Sequence, residues 1–162
     1  EMIRLKTAVL LAASLKIGAR LGGASVEDAD RLYDFGMHIG VAFQLKDDLL
    51  DVYGNAKVFG KNIGGDILCN KKTYMLIKAL EHANADQHNQ LNSWINAETF
   101  QPAEKIAAVT ELYDRIGVKA VCENKILEYS NRAMESLAAV SIAEEKKEEL
   151  KKIIENLIHR EV

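Results

Sequence analysis

A single proline, Pro102, stands in 162 residues. Almost the whole chain therefore lacks the residue that most reliably breaks a helix. Aromatic residues are also sparse, at 6%, which disfavours a sandwich or barrel built from many turns and β-formers. The sequence predicts an all-α protein. Its length suits one helical domain over residues 1–162. With 48% hydrophobic and 28% charged residues, the chain can bury a core and is neither disordered nor fibrous. The net charge of −3 supplies no basic footprint for nucleic acid. Cys69 and Cys122 lie far apart in sequence and read as reduced thiols of a cytoplasmic protein, not as a disulfide framework or zinc site. The most apolar stretch, 8–15, is interrupted by Ser14 and falls well short of the ~20 residues of a membrane span.

Helical periodicity organises the chain. Residues 2–21 are almost continuously apolar, the pattern of a helix buried on most sides. Gly22 and Gly23 end it. Ser25 caps a second helix that runs to about Asp51, with Asp28 near the position of a capping-box acid. Gly36, Gly40, Gly54, Gly60, Gly64 and Gly65 are six of the ten glycines, so the middle of the chain requires close backbone approach or unusual dihedrals. Asn70 is expected to restart a helix through Ala83, and a polar helix follows over about 86–95. Pro102 opens another that ends near Gly117, and residues 117–140 continue as helix. Ser141 with Glu144 has capping-box spacing for a last helix carrying Leu150, Ile153, Ile154, Leu157 and Ile158 on one face.

The chemistry concentrates in two stretches. Residues 43–51 read FQLKDDLLD. At about 100° per residue, Asp47 shares a face with Ala29, Gly36, Gly40 and Phe43, where the period calls for an apolar side chain. Asp51 lies one turn further on, Gln44 sits one turn earlier, and Asp48 flanks them. Two carboxylates ~6 Å apart repel by about 3 kcal/mol at an effective dielectric constant near 20. A bound Mg²⁺ would remove that cost, because it prefers carboxylate oxygens and bridges to substrate phosphates. Residues 59–73 read FGKNIGGDILCNKKT. Here Lys61, Lys71 and Lys72 surround Asp66, glycines admit close backbone approach, and lysines offer point charges for phosphate. Read alone, this second stretch is an ordinary surface loop. Lys6, in an apolar helix, is costly unless it is paired or snorkels. The scattered histidines, including His38 and His82, have no spacing for a transition metal.

Together, LKTAVLLAASLKIGA, GVAFQLKDDLLDVYG and FGKNIGGDILCNKKT resemble the second half of the trans-isoprenyl diphosphate synthases, in the family's order and spacing. The resemblance implies the C-terminal helices of an isoprenoid-synthase bundle. It implies that Asp47, Asp48 and Asp51 form the second aspartate-rich motif and hold Mg²⁺, with Asp66 near the metal's waters. Lys6 and Thr7 would contact an allylic diphosphate, Lys61 and Lys71 would bind diphosphate, and Phe43 and Gln44 would line the substrate cavity. The implied reaction ionises the allylic diphosphate, adds isopentenyl diphosphate to the cation and releases a proton. The first aspartate-rich motif is not in these residues, and the chain enters its first helix without a cap. The expectation is the C-terminal half of a longer, dimeric synthase, inactive alone. A terpene-cyclase-like enzyme and a non-catalytic helical partner of a complete synthase are the alternatives; the Lys6-Thr7 pair and the lysines at 61 and 71 favour chain elongation.

Overall fold

A computed structural model describes residues 1–54 and 63–158. Among the described residues there are eight α-helices and no strand, as the sparse proline and aromatic content predicts. A π-helical turn, Arg4–Ala8, leads into α1, Val9–Leu21. The others are α2 Val26–Tyr53, α3 Gly65–Leu68, α4 Tyr74–His82, α5 Ala85–Ile95, α6 Pro102–Ile116, α7 Val118–Ala138 and α8 Glu148–Ile158. Where the sequence reads as one helical domain, contacts group the chain into two compact units. One comprises residues 1–46 with the described residues from Lys125 onward; the other comprises the described residues of Asp47–Asn124.

In the first unit, α2 contributes Phe35, Ile39 and Ala42 to the core, spaced four and three residues apart as a helical stripe requires. They meet Ala133 and Leu137 of α7 and Ile154 and Leu157 of α8. Each large side chain so buried stabilises by roughly 1.5–3 kcal/mol. The π turn and α1 approach α2 most closely through small residues, with Leu15 packing beside them against the core. A Cβ on Gly36 would stand 2.6 Å from the Ala12 Cα, and one on Gly40 would stand 2.7 Å from the Ala8 Cα. The lack of side chains at 36 and 40 therefore sets the spacing of these helices.

Two sequence expectations fail here. Residues 2–21 are not buried on most sides: Leu5, Leu10, Ile17 and Leu21 are exposed, and the strip that is covered is Ala8 and Ala12. A helix seated on glycines presents its small residues inward, so of its leucines only Leu15 reaches the core while Leu10 and Leu21 point away. The last helix begins at Glu148 after a 3₁₀ turn, Glu144–Lys146, and not at a Ser141–Glu144 capping box. The Ser141 N–H, which such a box needs, donates instead to Asp28 Oδ1 at 2.9 Å. Glu144 accepts from Lys147 and Lys151. The Ser25 cap is present, with Oγ accepting the Asp28 N–H at 3.0 Å.

In the second unit, α6 packs against α3, α4 and α5. Pro102 opens α6 and Gly117, at φ +82°, ends it. The α5 start carries a full capping box between Asn84 and Gln87. Helix α4 starts later than the sequence suggests. Its cap is Thr73, whose hydroxyl accepts the Leu76 N–H, while Asn70 is left-handed at φ +49°. Asn70 therefore turns the chain and does not start a helix. Ile67, Met75, Leu76, Ala79, Leu91, Val109 and Leu112 are buried in this unit.

Candidate active site

In the second unit, α2 places Asp48 and Asp51 three residues apart, on neighbouring turns of one face. The chain returns to them at Gly64. Gly64, at φ +86°, accepts a left-handed turn, and a Cβ there would lie 2.6 Å from the Ile106 side chain. Only glycine meets both demands. The Gly64 N–H then donates to the Asp51 carbonyl at 2.6 Å, and the Asp66 N–H donates to Asp51 Oδ2 at 2.9 Å. A Cβ on Gly65 would touch Asp51 Oδ1 at 3.4 Å. The glycines expected to admit close backbone approach thus wrap the chain around Asp51.

Lys71 closes the arrangement. Its Nζ donates to Asp48 Oδ1 at 3.1 Å and to Asp66 Oδ2 at 2.7 Å. Asp48 is 2% exposed, whereas Lys71 keeps about a third of its side chain accessible. The ammonium therefore ties a buried carboxylate to solvent. Burial alone would lower the Lys71 pKa, but the hydrogen bonds it donates to Asp66 and Asp48 outweigh it and hold the group above its ordinary value. Burial pushes the Asp51 carboxyl up, an effect that the Asp66 N–H only partly opposes. Lys71 bridges to Asp48 and not to Asp47, which is half-buried.

The first unit holds the other predicted residues. Lys6 and Thr7 lie on the π-helical turn, a local widening common at functional positions. The Thr7 hydroxyl donates to Gln44 Oε1 at 3.0 Å, a reach set by the Ala8–Gly40 contact beside it. The Lys6 side chain is exposed. Phe43 lines an open groove of about 430 Å³ with Ile153, Asn156 and Leu157.

The structure thus brings Asp48, Asp51, Asp66 and Lys71 into one network, and Thr7 and Gln44 into another. Lys61 lies outside the described residues. Among the described residues, no group of three His, Cys, Asp or Glu side chains forms a cage for a metal ion. The donors present are all oxygens, the set that suits Mg²⁺, which needs only one or two carboxylates when phosphate completes its shell. Sequence reading passed over Lys105, buried on α6 and bonded to Asn70. A signal was available: Lys105 falls on the stripe of Val109, Leu112 and Tyr113, where the period calls for an apolar residue.

With this geometry in view, comparison with known proteins is decisive for the class. Residues 1–113 match the polyprenyl synthetase family, and the chain belongs to it. It is 35% identical over 161 residues to a short chain isoprenyl diphosphate synthase of Methanothermobacter thermautotrophicus, covering 99% of this chain and 48% of that protein. It is 32% identical to a geranylfarnesyl diphosphate synthase of Aeropyrum pernix, covering 99% of this chain and 49% of the relative. Among solved structures, a geranylgeranyl pyrophosphate synthase superposes with a TM-score of 0.91 at 34% identity, over 99% of this chain and 50% of that one. The chain spans about half the length of the relatives it matches. No helix among the described residues is long and apolar enough to cross a membrane.

Proposed function

We propose that this chain serves a prenyltransferase that condenses an allylic diphosphate with isopentenyl diphosphate, and that its residues act on the departing diphosphate. The observation that carries the proposal is the Lys71 bridge between Asp48 and Asp66. A protonated, partly exposed ammonium held between carboxylates is a preorganised charge, and such groups stabilise a leaving anion without reorganising as it forms. Lys71, Lys61, Lys6 and Thr7 bind the diphosphate in this reading, and Phe43 and Gln44 line the prenyl cavity. Asp47, Asp48, Asp51 and Asp66 hold Mg²⁺, which when bound neutralises charge on the leaving diphosphate. Burial disfavours the charged form of Asp51, and a cation nearby would offset that cost. The complete protein is a dimeric cytoplasmic enzyme in this reading, and the present chain alone does not turn over.

Calorimetric titration of pyrophosphate into this chain, with and without Mg²⁺, tests the proposal. The expected result is modest affinity that rises with Mg²⁺ and is reduced in Asp47→Asn and Asp48→Asn. Strong binding that ignores both Mg²⁺ and these substitutions would show a generic cationic patch, and the acidic residues would then need another explanation.

A further inference from the structure

Resting on that reading, we propose that Lys105 is a positioning residue: through Asn70 it pins the turn that aims Lys71 at its carboxylates. Lys105 is 1% exposed, and its Nζ donates to Asn70 Oδ1 at 2.8 Å and stands 4.2 Å from the Phe100 ring centre. Among the described residues it has no carboxylate partner. A buried ammonium facing a neutral amide is a poor way to stabilise a fold, and an apolar residue of the same volume commonly does as well or better. What this lysine contributes is local. Asn70 adopts φ +49°, a conformation that Asn tolerates better than most residues. Both ends of its amide are engaged, because Nδ2 also donates to the Ile95 carbonyl at 2.9 Å. The turn is thereby fastened to α6 and to the end of α5. The next residue is Lys71, whose N–H donates to the Asp66 carbonyl and whose own carbonyl accepts from Thr73. Asn70 is thus the anchored point from which the Lys71 side chain departs.

A small cavity lies among Lys105, Asn70, Lys71, Asp66, Trp94 and Tyr113, with a volume of about 20 Å³. That is room for one water and not for a phosphate. Lys105 is therefore a strut behind the site and not a further diphosphate ligand.

The test compares Lys105→Met, Asn70→Gly and the double variant in the full chain. Asn70→Gly accommodates the positive φ and removes the whole amide, the bond from Lys105 and the bond to Ile95 together, so a Lys71 that stays protected in it overturns the proposal even if Lys105→Met does not fold. Three quantities are read: the urea midpoint, the protection of the Lys71 ammonium from exchange with water by NMR, and the affinity for pyrophosphate with Mg²⁺. Expected for Lys105→Met is an unchanged or higher urea midpoint, loss of the protected Lys71 ammonium signal, and about a tenfold fall in affinity, the scale seen when supporting residues behind a site are removed. Asn70→Gly should match it in the last two readouts, and the double variant should be no worse than either. A Lys71 signal that stays protected in both single variants overturns the proposal. If the unaltered chain binds no pyrophosphate, the functional reading fails, and the NMR readout still decides whether Lys105 positions Lys71.

Discussion

The two units differ in where they place buried charge. The first is built on shape: Gly36 and Gly40 receive Ala12 and Ala8 at near-contact distance, and an apolar cluster around Phe35 fills the rest. The second sets Asp48 and Lys105, both almost inaccessible, among its apolar residues at the candidate site, whereas the first keeps its buried Asp28 and Lys147 beside the starts of α2 and α8. Close-packed apolar contacts are individually weak and forgiving of chemistry but not of volume. Buried charges, by contrast, are intolerant of a lost partner. A change of volume should thus cost most where Gly36 and Gly40 meet Ala12 and Ala8, and loss of a charged partner should cost most around Asp48.

The sharpest way to break the comparison is Lys71→Met. It takes a hydrogen-bonded cation from buried Asp48 and from Asp66 while keeping length and apolar stem. The expected cost is about 3 kcal/mol, the low end for breaking a buried pair because Lys71 is partly exposed. Urea unfolding measures it; a loss under about 1 kcal/mol would place the pair with ordinary surface bridges. In the complete protein, turnover should fall by one or more orders of magnitude in Asp47→Asn, as when a preorganised electrostatic group is lost, and steady-state kinetics decides this.

Next in size is Gly36→Ala. Its new methyl would meet the Ala12 backbone, which cannot yield as a flexible side chain can. The expected destabilisation is about 1–3 kcal/mol, read as a lower melting temperature. An equal melting temperature would mean that the close approach carries no energetic weight.

Asp28 offers a pH test of the first unit. The Ser141 N–H holds its carboxyl below the ordinary value of 3.8, with help from Ser25 and Arg31. The folded state therefore binds this proton less readily than the unfolded state does. The resulting stability is complete above the unfolded pKa and is lost as pH falls through the folded one. Asp28→Asn should melt lower than the parent at pH 6, and the gap should narrow below about pH 4. A constant gap would assign the effect to lost hydrogen bonds alone. The smallest expected effect is that of Thr7→Val, which removes the bond to Gln44 and should cost about 0.5–1.5 kcal/mol by urea unfolding.

The helical class was legible because the scarcity of proline acts along the whole chain. The helix boundaries at Gly23, Ser25, Pro102 and Gly117 were legible because each depends on one residue's own dihedral or donor requirements. The errors arose where distant residues decide. Ser141 has the right spacing for a cap, yet Asp28, more than a hundred residues away in sequence, captures its N–H. Asn70 resembles a helix start, yet Lys105 and Ile95 hold it in a turn. In the site, periodicity identified the acidic stripe, and the family resemblance assigned roles to its members. It could not show that Asp48, off the predicted stripe, is the member that Lys71 reaches, because that depends on how the chain returns through Gly64.

The π-helical turn at Arg4–Ala8 has a consequence for how this protein can be altered. Such a turn contains one residue more than regular winding needs. Removing one residue from it would rotate everything upstream by about 100° and draw it in by about 1.5 Å, while Ala8 and Ala12 remain seated on Gly40 and Gly36. The turn works as a vernier: it sets the bearing of Lys6 without disturbing the register of the helix behind it. A single-residue insertion between Lys6 and Thr7 should therefore re-aim Lys6 by about 100° while Ala8 and Ala12 keep their seats on Gly40 and Gly36.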